Sequence, residues 1–139
     1  MAKKERERIK ITIDSGAAES MMPQNLSADY PLRKGQWTGW EYGTADGGVI
    51  TNAGERCVVF DTHDGMTAGM QFQVGDKITK PLGAVSRITD KGNRVVFEQG
   101  YGYIENTSTG ECRYFYREDD VYVLNAIVRP HHELLARQS

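Results

Sequence analysis

The sequence predicts a mainly β protein of antiparallel strands, closed or sandwiched, on three observations. Apolar and polar residues alternate with a period of two in several short segments, the pattern of strands with one buried face. Fifteen glycines among 139 residues, about 11% against an ordinary share of roughly 7%, supply turns between those segments. Only one segment shows clear helical spacing.

Taken in chain order, Ile9, Ile11 and Ile13 alternate with Lys10 and Thr12 and run into Asp14-Ser15-Gly16, so a half-buried strand delivers an acid into a tight turn. Pro23 to Ala28 allows a helical turn. Further strands are expected at Trp37 to Tyr42, Glu55 to Asp61, Met70 to Val74, Arg94 to Phe97, Tyr101 to Glu105, Glu111 to Tyr116 and Val121 to Leu124. Asp46-Gly47-Gly48, Asp64-Gly65, Gly100 and Gly110 offer the positive-φ positions that hairpins need. Leu82, Val85 and Ile88 fall at three-residue spacing after Pro81, and Lys91-Gly92 supplies a basic end with a C′ glycine. These signals predict the one helix, over 82–91. The tail from Arg129 to Ser139 reads as a frayed helix or a disordered end.

The length suits a single domain with a core of its own. Seventeen Lys and Arg against nineteen Asp and Glu leave a net charge of −2, which gives no broad basic face for nucleic acid or anionic lipid. No apolar run approaches the roughly 20 residues that cross a bilayer. The charged start, Met1 to Arg8, lacks the apolar stretch of a secretion signal, so a cytoplasmic location is expected. Lys3, Lys4, Arg6 and Arg8 interleave with Glu5 and Glu7, the pattern of a solvated leader. Cys57 and Cys112 are single and far apart, and read as ordinary thiols packing as small hydrophobes.

Asp14-Ser15-Gly16-Ala17 carries the chemistry. A turn fed by an apolar strand fixes a carboxylate on a rigid element; the plainer alternative is an Asx turn in which Asp14 caps its own loop. Downstream, Pro81-Leu82-Gly83-Ala84-Val85 places a glycine, Gly83, where the predicted helix opens, and a glycine permits close approach of another backbone. These residues resemble the retropepsin-like aspartic proteases, and among them the copia-type retrotransposon proteases. In that family an apolar strand ends in D-[ST]-G-[AS], a glycine-containing hairpin flap follows, and an apolar element then enters a helix. Lys80-Pro81-Leu82-Gly83-Ala84-Val85-Ser86-Arg87-Ile88-Thr89-Asp90-Lys91-Gly92 is similar to the copia-type "NLLSVSRLTDKG" segment. Val95-Val96-Phe97 and Val121-Tyr122-Val123-Leu124 resemble its "V-x-F" and "LYVL" stretches. Where copia-type sequences commonly carry Trp before the aspartate and S-H-M after it, this chain has Ile11 and Ser20-Met21-Met22.

The resemblance implies a closed retropepsin-like β-barrel with one short helix and extra C-terminal hairpins: a protease core at 9–92, a hairpin extension at 93–127 and a tail at 128–139. It also implies an aspartic endopeptidase. Hydrolysis by carboxylates needs one ionised group to take a proton from water and one neutral group to protonate the carbonyl oxygen, and two carboxylates within about 3 Å share a single proton. The only similar second string, Asp61-Thr62-His63-Asp64-Gly65, has His63 where the catalytic turn requires glycine, and residues 61 to 65 read as a hairpin turn. One acid per chain therefore predicts a C₂ homodimer with Asp14 of each subunit at the axis. By the resemblance, Ser15 bonds near the axis, while the Gly16 and Ala17 amides hold the carboxylates.

Residues 42 to 54 are the candidate lid, with Asp46, Gly47 and Gly48 at its tip and Val49 and Ile50 lining a substrate channel together with Leu82 and Gly83. The expected partners are a second copy and a polypeptide substrate, its own polyprotein being one candidate. No cofactor, metal, nucleic acid or membrane enters. His131 and His132 lack a third ligand at sensible spacing and are expected in solvent. Met22 with Met21 suits core filling. Tyr114, Phe115, Tyr116 and Tyr122 suit a sheet core or dimer surface, because Glu111, Glu118, Asp119 and Asp120 nearby oppose a phosphate backbone. The competing expectation is a non-catalytic β module that binds peptides or assembles with itself.

Overall fold

The computed structural model describes residues 6–136. Its first strand, β1 (Arg8–Asp14), follows the alternation in the sequence: Ile9, Ile11 and Ile13 are buried and Lys10 is exposed. A short β2 (Met21–Pro23) and β3 (Glu41–Gly43) precede the long hairpin of β4 (Val49–Thr62) and β5 (Thr67–Gly75). Next come β6 (Leu82–Ala84) and helix α1 (Val85–Asp90). A meander of β7 (Asn93–Phe97), β8 (Tyr101–Asn106), β9 (Cys112–Glu118) and β10 (Val121–Val128) leads to helix α2 (His131–Ala136).

The protein is mainly β, and its pairing turns back on itself. β4 pairs with β5, β5 with β2, β2 with β6, β6 with β1, β1 with β10, and β10 again with β4 through Ala126↔Thr62, Ile127↔Asp61 and Val128↔Phe60. This ring-like sheet continues outward from β10 through β9, β8 and β7, and β3 lies at the other edge on β4. Inward residues of the ring strands form one core with Ile88 of α1 and with Ile104 and Phe115 of the meander. Ile11, Phe60, Phe72 and Phe115 are fully buried. At about 1.5–3 kcal/mol for each such side chain, burial outweighs the modest strand propensities of the segments carrying them.

Several expectations change. The helix begins at Val85 and not at Leu82, because Leu82, Gly83 and Ala84 are drawn into a parallel ladder opposite Thr12, Ile13 and Asp14. Its end is as read: Lys91 and Gly92 donate to the Ile88 and Thr89 carbonyls, and Gly92 has φ +83°. A second short helix, α2, forms in the tail, one of the two readings given for that segment, so the described residues carry two helices; residues 137–139 lie outside the described part. Within the Pro23 to Ala28 segment Pro23 ends β2 and residues 24–28 form turns and bends rather than helix, with Leu26 N–H on the Pro23 carbonyl and Ser27 at φ +51°. Gly39, at φ +88°, keeps Trp37 to Trp40 out of the expected strand, and only Glu41–Gly43 pairs.

The 93–127 extension is not merely appended, since β10 sits between β1 and β4 within the ring. Nor is the whole leader solvated. Arg6 forms an ion pair with Glu133 at 3.0 Å, and Glu7 accepts the Ser27 N–H at 2.8 Å; Lys3, Lys4 and Glu5 lie outside the described residues.

Candidate functional site

Asp14 closes β1 opposite Ala84 and is half-buried. Gly16 N–H donates to Asp14 Oδ1 at 2.8 Å, an Asx turn that fixes the carboxylate's direction and leaves Oδ2 without a protein donor among the described residues. Ser15 and Gly16 are exposed and Ala17 is half-buried, so the turn stands at the surface at the end of a strand whose alternate residues, Ile9, Ile11 and Ile13, are in the core.

The chain returning from this turn is anchored by residues that sequence reasoning did not single out. Ser20, 2% exposed, accepts the Ala84 N–H on its Oγ at 2.9 Å, while its carbonyl accepts the Gln73 N–H at 2.8 Å. Arg87 of α1 donates to the Ala18 carbonyl and pairs with Glu19. β5, β6 and α1 therefore meet on the four residues after the Asp14 turn. A serine between an alanine-rich turn and two methionines was the only available signal, and its distant partners are not local in sequence.

Leu82 pairs with Thr12 and also with Met21. Gly83 faces the core: a Cβ there would lie 3.2 Å from Ile11 Cγ2 and 3.4 Å from Ile13 Cδ1. Its lack of a side chain thus serves the packing of β6 on β1.

A hollow of about 350 Å³ opens at Asp14, lined by Thr12, Ile13, Ser15, Phe97, Asp120, Val121 and Tyr122. The meander brings Phe97 and the β9–β10 turn to the acid, which their sequence positions do not announce. None of Asp46, Gly47, Gly48, Val49, Ile50, Leu82 or Gly83 lines this hollow. A larger groove of about 990 Å³ runs elsewhere, between the β4–β5 hairpin, α1 and the meander, and does not include Asp14.

The candidate lid is the β3–β4 hairpin. Its tip is closed by Thr44 N–H on the Gly48 carbonyl at 2.9 Å and by Gly48 N–H on Asp46 Oδ1 at 3.1 Å, with Gly47 at φ +87°. The Thr44 hydroxyl and then the Gly48 amide hold the Asp46 carboxyl below its ordinary range. Val49 is exposed, whereas Ile50 is half-buried and leans over Gly75, whose missing Cβ would meet Ile50 Cγ2 at 2.9 Å.

At the hairpin root, buried Asn52 donates through Nδ2 to Gln73 Oε1 at 2.9 Å and to the Tyr42 hydroxyl at 3.1 Å, and its Oδ1 accepts the Gly54 N–H at 2.8 Å. Because Gln73 also donates to Ser20, a continuous hydrogen-bonded path joins the hairpin root to the strand opposite Asp14.

The second acidic string has another task. Asp61 ends its ladder opposite Thr67 and accepts from Arg129 Nη2 at 2.9 Å, with the turn beyond it holding Gly65 at φ +86°. His132 is exposed, but His131 is half-buried: its ring lies 5.0 Å from that of Tyr30 and its backbone N–H donates to Asp29 Oδ2. Among the described residues no group of three potential metal ligands converges, and no helix is long and apolar enough to cross a membrane. Cys57 and Cys112 are free; Cys57 is exposed, not packed as a core residue. No family model, curated protein or solved structure matches the chain.

Proposed function

We propose that the chain is a retropepsin-like aspartic endopeptidase of the copia type, acting in the cytoplasm as a homodimer in which two Asp14 carboxylates, one per subunit, activate a water. The observation that carries this reading is the placement of Asp14. It ends a strand anchored in the core by Ile9, Ile11 and Ile13, it is oriented by the Gly16 amide, and it borders an open hollow. A carboxylate held this firmly can meet its twin across a two-fold axis without losing its direction.

In the paired state one carboxylate, ionised, takes a proton from water as the water oxygen bonds to the scissile carbon, while the other, neutral, protonates the carbonyl oxygen. The tetrahedral diol then collapses, its C–N bond breaking as the first carboxyl protonates the leaving amine and the second recovers a proton from a diol hydroxyl. The β3–β4 hairpin, which does not line the Asp14 hollow of the single chain, is the counterpart of the family's flap that would cover a substrate in the dimer, and the closed barrel of the family is the counterpart of the ring-like sheet. Phe97, Val121 and Tyr122 give the second copy an apolar seat beside each acid. A polypeptide, its own polyprotein included, is the substrate.

Asp14→Asn tests the reading. Asn Oδ1 still accepts the Gly16 N–H, so folding should be retained while cleavage of a mixed peptide library at mildly acidic pH disappears. Cleavage that survives the substitution, or a strict monomer over the active concentration range, overturns the assignment. The non-catalytic module that binds peptides or assembles with itself would then be the reading that stands.

A further inference from the structure

The outer face of the meander carries chemistry that the Asp14 site does not use. Tyr101 pairs with Tyr116 and Tyr103 with Tyr114 across β8 and β9. Residues opposite each other, or two apart on a strand, share a face, so the four tyrosines stand together. The other face turns Gly102 and Phe115 into the core. Tyr101 is 40%, Tyr114 38% and Tyr116 41% exposed, large fractions for aromatic residues in the middle of a β-meander. The Tyr103 and Tyr114 rings lie 5.8 Å apart, and His63 of the β4–β5 turn extends the platform, 5.5 Å from Tyr116.

The charge around this platform is one-sided. Residues 93–128 carry six carboxylates against three arginines. Arg94 is paired with Glu105, Arg117 with Asp120, and Arg113 donates to the Thr67 carbonyl. Among the described residues Glu98, Glu111 and Asp119 have no ion-pair partner, nor has Asp64 in the β4–β5 turn.

We infer that the tyrosine face of β8 and β9 docks an extended polypeptide segment bearing Lys or Arg at alternate positions. Tyr101 and Tyr103 on one strand, and Tyr114 and Tyr116 on the other, repeat at roughly 6.6 Å, the spacing of alternate side chains in an extended peptide. Each cation of such a segment settles over a ring face, and the unpaired carboxylates attract it. The same carboxylates repel a phosphate backbone, which sets single-stranded nucleic acid aside as the occupant of this stacking surface.

The test is equilibrium binding of a fluorescein-labelled peptide of alternating glycine and arginine to the full chain, followed by anisotropy at low and high salt. Binding should weaken as salt rises. The double substitution Tyr101→Ala/Tyr116→Ala should weaken it about five- to thirty-fold, the loss of two exposed cation–π contacts. Tyr101→Phe/Tyr116→Phe, which keeps both ring faces, should stay within about two-fold of the parent. Glu98→Gln, beside Tyr101 at the β7–β8 turn, should also weaken binding and leaves the aromatic face intact.

No binding, or binding indifferent to the alanine pair, overturns the inference. So does tighter binding of a labelled poly-uridine strand, or a dimer in solution that the alanine pair dissociates. None of these readouts involves peptide cleavage, so the result stands apart from the fate of the protease reading.

Discussion

Replacing Ser20 with alanine removes one hydroxyl from the join between β6 and the Asp14 turn. Ser20 is 2% exposed and its Oγ accepts the Ala84 N–H at 2.9 Å. Ala84 lies in the β6 ladder directly opposite Asp14 and is itself fully buried. Without the hydroxyl the Ala84 N–H loses its side-chain partner, and leaving a buried donor unsatisfied costs about 1–3 kcal/mol. In a domain of this size that corresponds to a fall in melting temperature of roughly 3–5 °C per kcal/mol, or about 3–15 °C in all.

Thermal and urea denaturation of Ser20→Ala against the parent measures the loss, and hydrogen exchange should locate it at the Ala84 amide. Ser108→Ala is the internal control, because Ser108 is exposed in the β8–β9 turn and should change stability by no more than about 0.5 kcal/mol. If Ser20→Ala matches the control in both stability and Ala84 exchange, the anchoring argument is refuted. If the protease reading also holds, cleavage by Ser20→Ala should fall at temperatures where the variant is fully folded, since the ladder that aims Asp14 has lost a tie.

Gly102→Ala should destabilise by about 1–3 kcal/mol or more in urea melts, because the new Cβ would lie 2.4 Å from both the Val96 carbonyl oxygen and a Phe115 ring carbon. Gly43→Ala, with open space around it, should change little. For pH dependence, the Arg129 guanidinium, joined by the Thr67 hydroxyl, holds the Asp61 carboxyl below its ordinary range despite partial burial. That pair therefore stabilises the fold above the unfolded carboxylate range near pH 4, and its contribution disappears as pH falls through the lower folded-state value. Asp61→Asn should accordingly be less stable than the parent at neutral pH, with the gap narrowing in denaturation curves recorded below about pH 4.

Much of the strand pattern was legible from residue order because it depends on neighbours. Ile9, Ile11 and Ile13 alternate over the residues that form β1, and Tyr101 to Glu105 differs from β8 by a single residue at its end. The Asp64-Gly65 turn was equally local, since Gly65 supplies the positive φ where the hairpin bends. β2 and β6 were not legible. Each is three residues long, too short for any period to show, and each exists only because a remote strand offers a ladder. The same reason explains the shortened helix: Leu82, Val85 and Ile88 carry helical spacing, but pairing with β1 takes the first of them.

At the site, the Asp14-Ser15-Gly16 turn and the hairpin tip could be read directly, because a strand end, a glycine and a short polar side chain are local features. The companions of Asp14 could not. Phe97, Asp120 and Tyr122 reach its hollow through the meander, and Ser20 reaches Ala84 across 64 positions of sequence.

By itself the amino-acid order determined which residues turn inward, where the chain must bend and which acid stands at the end of a half-buried strand. These follow from side-chain hydrophobicity and backbone sterics acting over a few residues. Tertiary structure alone decided that β10 closes back onto β4, that Gly83 serves the core, and which side chains surround the carboxylate. Such contacts are chosen by ladders and packing between distant segments, where one strand's edge fixes the register of another.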